Sequence, residues 1–114
     1  MLADDDETVQ ALTLCLLRNH GMSCRSANNG LDALRLIRSE QPDIALLDVN
    51  MPGMRGFEVL AAVRAEQLPT RVVLLSALEQ EDDILLAFRL GADDYVVKPF
   101  NIFELVARVK RFLV

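Results

Sequence analysis

Apolar residues recur along this chain in two rhythms, short unbroken runs and stretches at helical spacing, and the two alternate from end to end. The clearest run is Ile44-Ala45-Leu46-Leu47, which ends on the acid Asp48 and is followed by Val49-Asn50-Met51-Pro52-Gly53. A run of this length bounded by turn residues reads as a strand buried on both faces, here β3, Ile44–Asp48. Asp48 then sits where the strand runs out, at the carboxyl edge of a parallel sheet, where open α/β sheets place their chemistry.

The other elements follow in order. Met1-Leu2-Ala3 predicts a strand, β1, that runs into Asp4-Asp5-Asp6-Glu7. Three residues are short against the usual five or six, so we expect the chain to have lost its first few residues. Helix α1 is expected from Glu7 to His20, with Val9, Leu12 and Leu16 at helical spacing, and Gly21 ends it. Met22 to Ala27 alternates and predicts β2, a short strand nearer an edge. Asn28-Asn29-Gly30 is a turn that also caps α2, Leu31–Ser39, whose buried stripe is Ala33, Leu34 and Ile37, and Gln41-Pro42-Asp43 breaks that helix. After Gly53 the spacing predicts α3 over Phe57–Glu66, closed by Leu68-Pro69-Thr70. Arg71–Ser76 is an apolar strand, β4, ending in a polar residue as β3 does. Helix α4, Glu79–Leu90, stops at Gly91, Asp94–Val97 is a brief strand, β5, and α5 runs from Asn101 to about Leu113. Strands alternating with helices predict a parallel sheet covered on both faces, in one doubly wound α/β domain spanning residues 1–114.

Composition narrows the function. Hydrophobic residues make up 52% of the 114 residues and charged ones 25%, ordinary for a globular domain. The net charge of −5 argues against this segment itself gripping a phosphate backbone. No apolar run approaches the roughly 20 residues of a membrane span, and acids rather than bases precede the first apolar helix, unlike a signal peptide. Cys15 and Cys24 have no metal or redox spacing and read as reduced core thiols. We therefore expect a cytoplasmic protein.

In a parallel sheet all strand carboxyl ends lie on one edge, and four ends here carry polar groups: Asp4 and Asp5, Asp48, Ser76 and Lys98. Each alone has an ordinary reading, as a helix cap, a turn residue or a solvated lysine. Their convergence is the signal. Three clustered carboxylates repel one another unless a cation joins them, and oxygen ligands without His or Cys select a hard ion, best Mg²⁺. Lys98 would neutralise a second anion and Ser76 donate to it, an arrangement suited to phosphoryl transfer onto an acid. Asp6 is accounted for as a cap of α1, and His20, Met51 and Met54 as ordinary structural residues.

These residues resemble the receiver domains of two-component response regulators over nearly the whole chain. The motifs are Ala3-Asp4-Asp5-Asp6, Leu46-Leu47-Asp48-Val49-Asn50-Met51-Pro52-Gly53, Leu74-Leu75-Ser76-Ala77 and Gly91-Ala92-Asp93-Asp94-Tyr95-Val96-Val97-Lys98-Pro99-Phe100. The resemblance implies a flavodoxin-like fold with strand order 2-1-3-4-5. It implies that Asp48 accepts a phosphoryl group from a sensor histidine kinase. Asp5 and Asp48 would bind Mg²⁺ directly, Asp4 through water and Asn50 through its backbone carbonyl. Lys98 would pair with the phosphoryl oxygens, the Lys98–Pro99 peptide would be cis, and Ser76 and Tyr95 would be the switch pair. The chain would catalyse only its own phosphoryl uptake and hydrolysis.

A second face stands out in α4 and α5. On α4 the spacing places Leu86, Ala87 and Leu90 on one side and Ile84, Leu85 and Phe88 on the other. On α5 it places Ile102, Leu105, Val106, Val109 and Phe112 inward and Phe103 and Ala107 outward, flanked by Glu104, Arg108 and Arg111. An apolar patch rimmed by charges marks a partner site. This region resembles the response-regulator subclass with a winged-helix DNA-binding output, which dimerises on phosphorylation through helix 4, strand 5 and helix 5. By that resemblance Leu85, Phe88 and Ala107 form the apolar patch, and Asp94 with Arg108 an intersubunit ion pair. Ile84 and Phe103 depart from the subclass pattern, pointing to a stickier interface in place of its salt-bridge ring. DNA would be reached only through an output domain outside this chain.

Two other classes share features of the edge. A haloacid-dehalogenase-type phosphatase also uses a strand-end Asp with Mg²⁺, but needs a second acid where Asn50 stands. A flavodoxin has the same layered fold, but its first loop must cradle a phosphate that Asp4, Asp5 and Asp6 would repel.

Overall fold

The structure is a computed structural model that describes residues 1–3, 25–51, 53–76, 81–98 and 101–112. Its elements are β1 Leu2–Ala3, β2 Ser26–Ala27, α2 Gly30–Glu40, β3 Ile44–Asp48, α3 Gly56–Ala65, β4 Arg71–Ser76, α4 Glu81–Arg89, β5 Asp94–Val97 and α5 Ile102–Lys110. The segment expected to form α1 lies outside the described residues, as do His20, Cys15 and Cys24.

The five strands form one parallel sheet in the order β2-β1-β3-β4-β5. Because side chains alternate across a strand, each strand feeds two cores. Ala45, Leu47 and Val49 of β3 face Ala33, Leu34 and Ile37 of α2 and Val59, Leu60 and Val63 of α3, with Ala87 of α4 in the same cluster. Ile44 and Leu46 point the other way, with Val73, Leu75 and Val96, toward Leu105, Val106 and Val109 of α5. Helices therefore cover both faces, and the all-apolar strands follow from double-sided burial.

Local chemistry sets the helix ends. Asn29 caps α2, its side chain accepting from the Asp32 backbone N–H at 2.8 Å, and Gln41 at φ 45° turns the chain out of the helix before Pro42. Asn101 caps α5 through the Phe103 and Glu104 N–H groups. Arg38 of α2 holds Glu66, just past α3, with hydrogen bonds of 2.8 and 2.6 Å, and these keep the Glu66 carboxyl below the usual carboxylate range. Both side chains face solvent, so the pair adds little to stability. Two glycines let elements approach closely. A Cβ at Gly30 would overlap the Met54 backbone carbonyl, and one at Gly56 would stand 2.6 Å from the Asp48 carbonyl oxygen. The starts of α2 and α3 are thus pressed against the loop and strand that carry Asp48.

On α4 the expected sides are partly exchanged. Ile84 and Leu90 pack with buried Ala87 against the core, whereas Leu86 is 45% exposed. Five consecutive apolar residues fit several helical phases, and the small Ala87 fixes the one used, since only it lets the helix lie close on the sheet. Ile84 therefore does not belong to the outer patch. On α5 the inward residues Leu105, Val106 and Val109 and the outward Phe103 and Ala107 stand as expected; the side chain of Ile102 is outside the described set.

Candidate functional site at the carboxyl edge

Strand register builds the site. Asp48 pairs with Leu75 on β4, so Ser76 lies one residue farther along the edge, and Ser76 in turn pairs with Val97 on β5, one residue before Lys98. The Val49 N–H donates to the Leu75 carbonyl at 2.9 Å and the Lys98 N–H to the Ser76 carbonyl at 2.7 Å, extending both ladders to the strand ends. Asp48 and Ser76, which end β3 and β4, and Lys98, which follows β5, are thereby brought to one edge by the backbone ladders.

Asp48 is 4% exposed and both of its oxygens are engaged. Oδ2 accepts from Lys98 Nζ at 3.0 Å, and Oδ1 accepts from the Asn50 backbone N–H at 3.1 Å. Two donors, a lysine ammonium and a backbone amide, thus hold this buried carboxyl group. The lysine side chain remains 24% exposed, so its ammonium lies between the acid and solvent. Ser76 is fully buried. Tyr95 is buried too, on the α4 side of the sheet in the cluster that holds Ala87. The edge thus holds a desolvated nucleophilic oxygen beside a cation, suited to taking an electrophilic group whose added negative charge the lysine can meet.

Asp4, Asp5 and Pro99 lie outside the described residues, so Asp48, Asn50, Ser76, Tyr95 and Lys98 are the expected site residues that the structure places. Among the described residues no three His, Cys, Asp or Glu side chains gather as a metal site, and no helix is long and apolar enough to cross a membrane.

Farther along β5, the expected intersubunit pair forms within one chain. Arg108 Nη1 reaches Asp94 Oδ2 at 2.9 Å and Oδ1 at 3.1 Å, and Arg111 Nη2 reaches Oδ2 at 3.0 Å. The cause is strand parity: Asp94 points to the face that α5 covers, where both arginines are at hand. Hydrogen bonds to Asp94, and then to Glu104, raise the Arg108 pKa above its ordinary value.

Two further arginines were not singled out by the sequence. Arg55 Nη2 donates to Asn50 Oδ1 at 3.2 Å. Arg64 joins α3 to the loop before β5 through the Gly91 carbonyl at 2.9 Å and Asp93 Oδ2 at 2.8 Å. Neither has a sequence signal, since an arginine near a helix end is ordinarily a solvated residue.

Comparison with known proteins agrees with this edge. Residues 1–110 match the response regulator receiver domain family. The receiver domain of the Francisella response regulator 1452 is 32% identical, with 97% of this chain and 92% of that one covered and a TM-score of 0.94. A DNA-binding response regulator of the LuxR family from Staphylococcus aureus is 32% identical, with 97% and 94% covered and a TM-score of 0.91. The BeF3-activated N-terminal receiver domain of RstA from Klebsiella pneumoniae is 31% identical, with 98% and 95% covered and a TM-score of 0.91. A buried acid and a lysine meeting at the carboxyl edge of a 2-1-3-4-5 sheet, in a chain matched almost end to end, identify it as a member of the response regulator receiver domain family, the phosphoacceptor signalling domains of two-component systems.

Proposed function

We propose that this chain is a phosphorylation switch whose acceptor is Asp48. The observation that carries the reading is the buried Asp48 carboxylate with Lys98 Nζ at 3.0 Å. A sensor histidine kinase is the proposed donor. An Asp48 oxygen forms the new bond to phosphorus, and the bond from phosphorus to the kinase imidazole breaks with its electron pair returning to that ring. Lys98 meets the phosphoryl oxygens, and the Ser76 hydroxyl donates a hydrogen bond to one of them. Beyond taking up and losing its own phosphoryl group, the chain is proposed to have no enzymatic activity.

The donors at the edge fit a hard divalent ion. The described ones are oxygens, the Asp48 carboxylate and the Asn50 carbonyl, and Asp4 and Asp5 are the acids proposed to complete the set. When bound, Mg²⁺ supplies charge neutralisation for the entering phosphoryl group.

The proposed output surface is the face of α4, β5 and α5. Leu85 and Phe88 are about half exposed and Phe103 is 69% exposed, with Ala107 beside Glu104 and Arg108. Apolar side chains rimmed by charge support homodimerisation there on phosphorylation. Asp94 and Arg108 are already paired within the chain, so the apolar residues are the proposed source of dimer affinity. The output is proposed to be transcriptional, in the cytoplasm, through a DNA-binding domain outside this chain. The acidic balance of this segment and the S. aureus DNA-binding relative support that reading.

Beryllofluoride or acetyl phosphate with Mg²⁺ is expected to shift the chain from monomer toward dimer in light scattering. Asp48→Ala should abolish the shift, and Phe88→Ser with Phe103→Ser should weaken it while leaving phosphoryl uptake intact. A dimer that still forms in response to the phosphodonor in Asp48→Ala would sink the reading.

A further inference from the structure

Arg55 stands at the N-cap of α3 with φ −76° and ψ 158°, and its side chain makes no capping hydrogen bond. Arginine suits that position poorly. It has no acceptor for the first helical N–H groups, and its charge lies at the positive end of the helix dipole. Residues that break a local rule are common where a site needs them. Here the guanidinium donates to Asn50 Oδ1 at 3.2 Å, while the Asn50 backbone N–H donates to Asp48 Oδ1 at 3.1 Å. With Lys98 on the other oxygen, four residues form one chain of contacts, Lys98–Asp48–Asn50–Arg55.

We infer that Arg55 is a positioning residue that lengthens the life of the phosphorylated state by engaging the Asn50 carboxamide. This rests on Asp48 being the phosphoryl acceptor. Loss of the phosphoryl group requires a water oxygen to bond to phosphorus as the bond from phosphorus to the Asp48 oxygen breaks. The carboxylate keeps the electron pair, and the water's protons pass to phosphate and solvent. An attacking water is held best by an acceptor beside the edge, and Asn50 Oδ1, two residues from Asp48, is one. With Arg55 donating to it, one lone pair is taken and the other lies beside a positive charge, so the oxygen is a poor holder of that water. Both side chains are exposed, so the contact adds little to folding and its consequence is local to the edge.

The test uses the whole chain labelled with phosphoramidate and Mg²⁺, followed for decay of the aspartyl phosphate after donor removal. Arg55→Ala should speed decay roughly fivefold, the scale of one ordinary hydrogen bond, with Arg55→Lys intermediate. In an Asn50→Ala background Arg55→Ala should change decay little, because Arg55 acts through Asn50. In the unphosphorylated chain, Arg55→Ala should also shift the Asn50 side-chain amide resonances. Equal decay with and without Arg55, or an undiminished Arg55 effect in Asn50→Ala, overturns the inference while leaving Asp48 as acceptor. Wild-type chain that takes up no label overturns both.

Discussion

Gly30→Ala is expected to destabilise the domain by about 3 kcal/mol or more, because the added methyl would overlap the Met54 backbone carbonyl. Backbone cannot rotate away as a flexible side chain can. Relief therefore requires the start of α2 to part from the loop that follows Asp48, opening the core that Ala33 and Leu34 share with Val59 and Leu60. Gly53 separates close approach from backbone conformation. Its φ is +76° with open space around it, so Gly53→Ala should cost only about 1 kcal/mol, the ordinary strain of a side chain in the left-handed region. Denaturant titration of both variants measures the difference, and equal losses would contradict the packing argument.

Asp93→Ala is expected to cost about 3 kcal/mol although Asp93 lies at the end of the sheet opposite Asp48. One oxygen, Oδ2, accepts from the Val72 backbone N–H and from Arg64 Nη2, each at 2.8 Å. Val72 is fully buried, so truncation leaves its N–H without that acceptor and strips a partly buried guanidinium of its carboxylate. The other Arg64 contacts, to the carbonyls of Gly91 and Thr70, keep the arginine in place and limit the loss. Asp93→Asn preserves an acceptor for Val72 and should recover about half of it. Thermal unfolding of the pair, with phosphoryl uptake measured below the transition, should show lowered stability and retained uptake.

The gathering of Asp48, Ser76 and Lys98 on one sheet edge was legible in the sequence because it depends on two local features. Unbroken apolar runs fixed β3, β4 and β5, and the residue ending each run, Asp48, Ser76 or following it, Lys98, was brought to one edge by parallel order. The two ends of α4 and α5 illustrate where periodicity succeeds and fails. In α5 the polar residues Glu104, Arg108 and Arg111 interrupt the apolar ones and leave a single phase. In Ile84-Leu85-Leu86-Ala87-Phe88 nothing interrupts, and burial of small Ala87 decided that Ile84 faces in and Leu86 faces out. Arg55, Arg64 and Asp93 were not legible, because their roles come from partners that only the folded loops bring near. The pairing of Asp94 with Arg108 inside one chain was hidden similarly, since sequence names two complementary charges without saying which copy supplies each.

Asp48 is the one carboxylate proposed to accept the phosphoryl group. Intact-mass and peptide mapping after treatment with phosphoramidate and Mg²⁺ tests it most directly. The expected result is a single phosphoryl group on the peptide containing Asp48, absent in Asp48→Asn and strongly reduced in Lys98→Ala. A phosphoryl group mapped to another residue, or one retained in Asp48→Asn, would contradict the account.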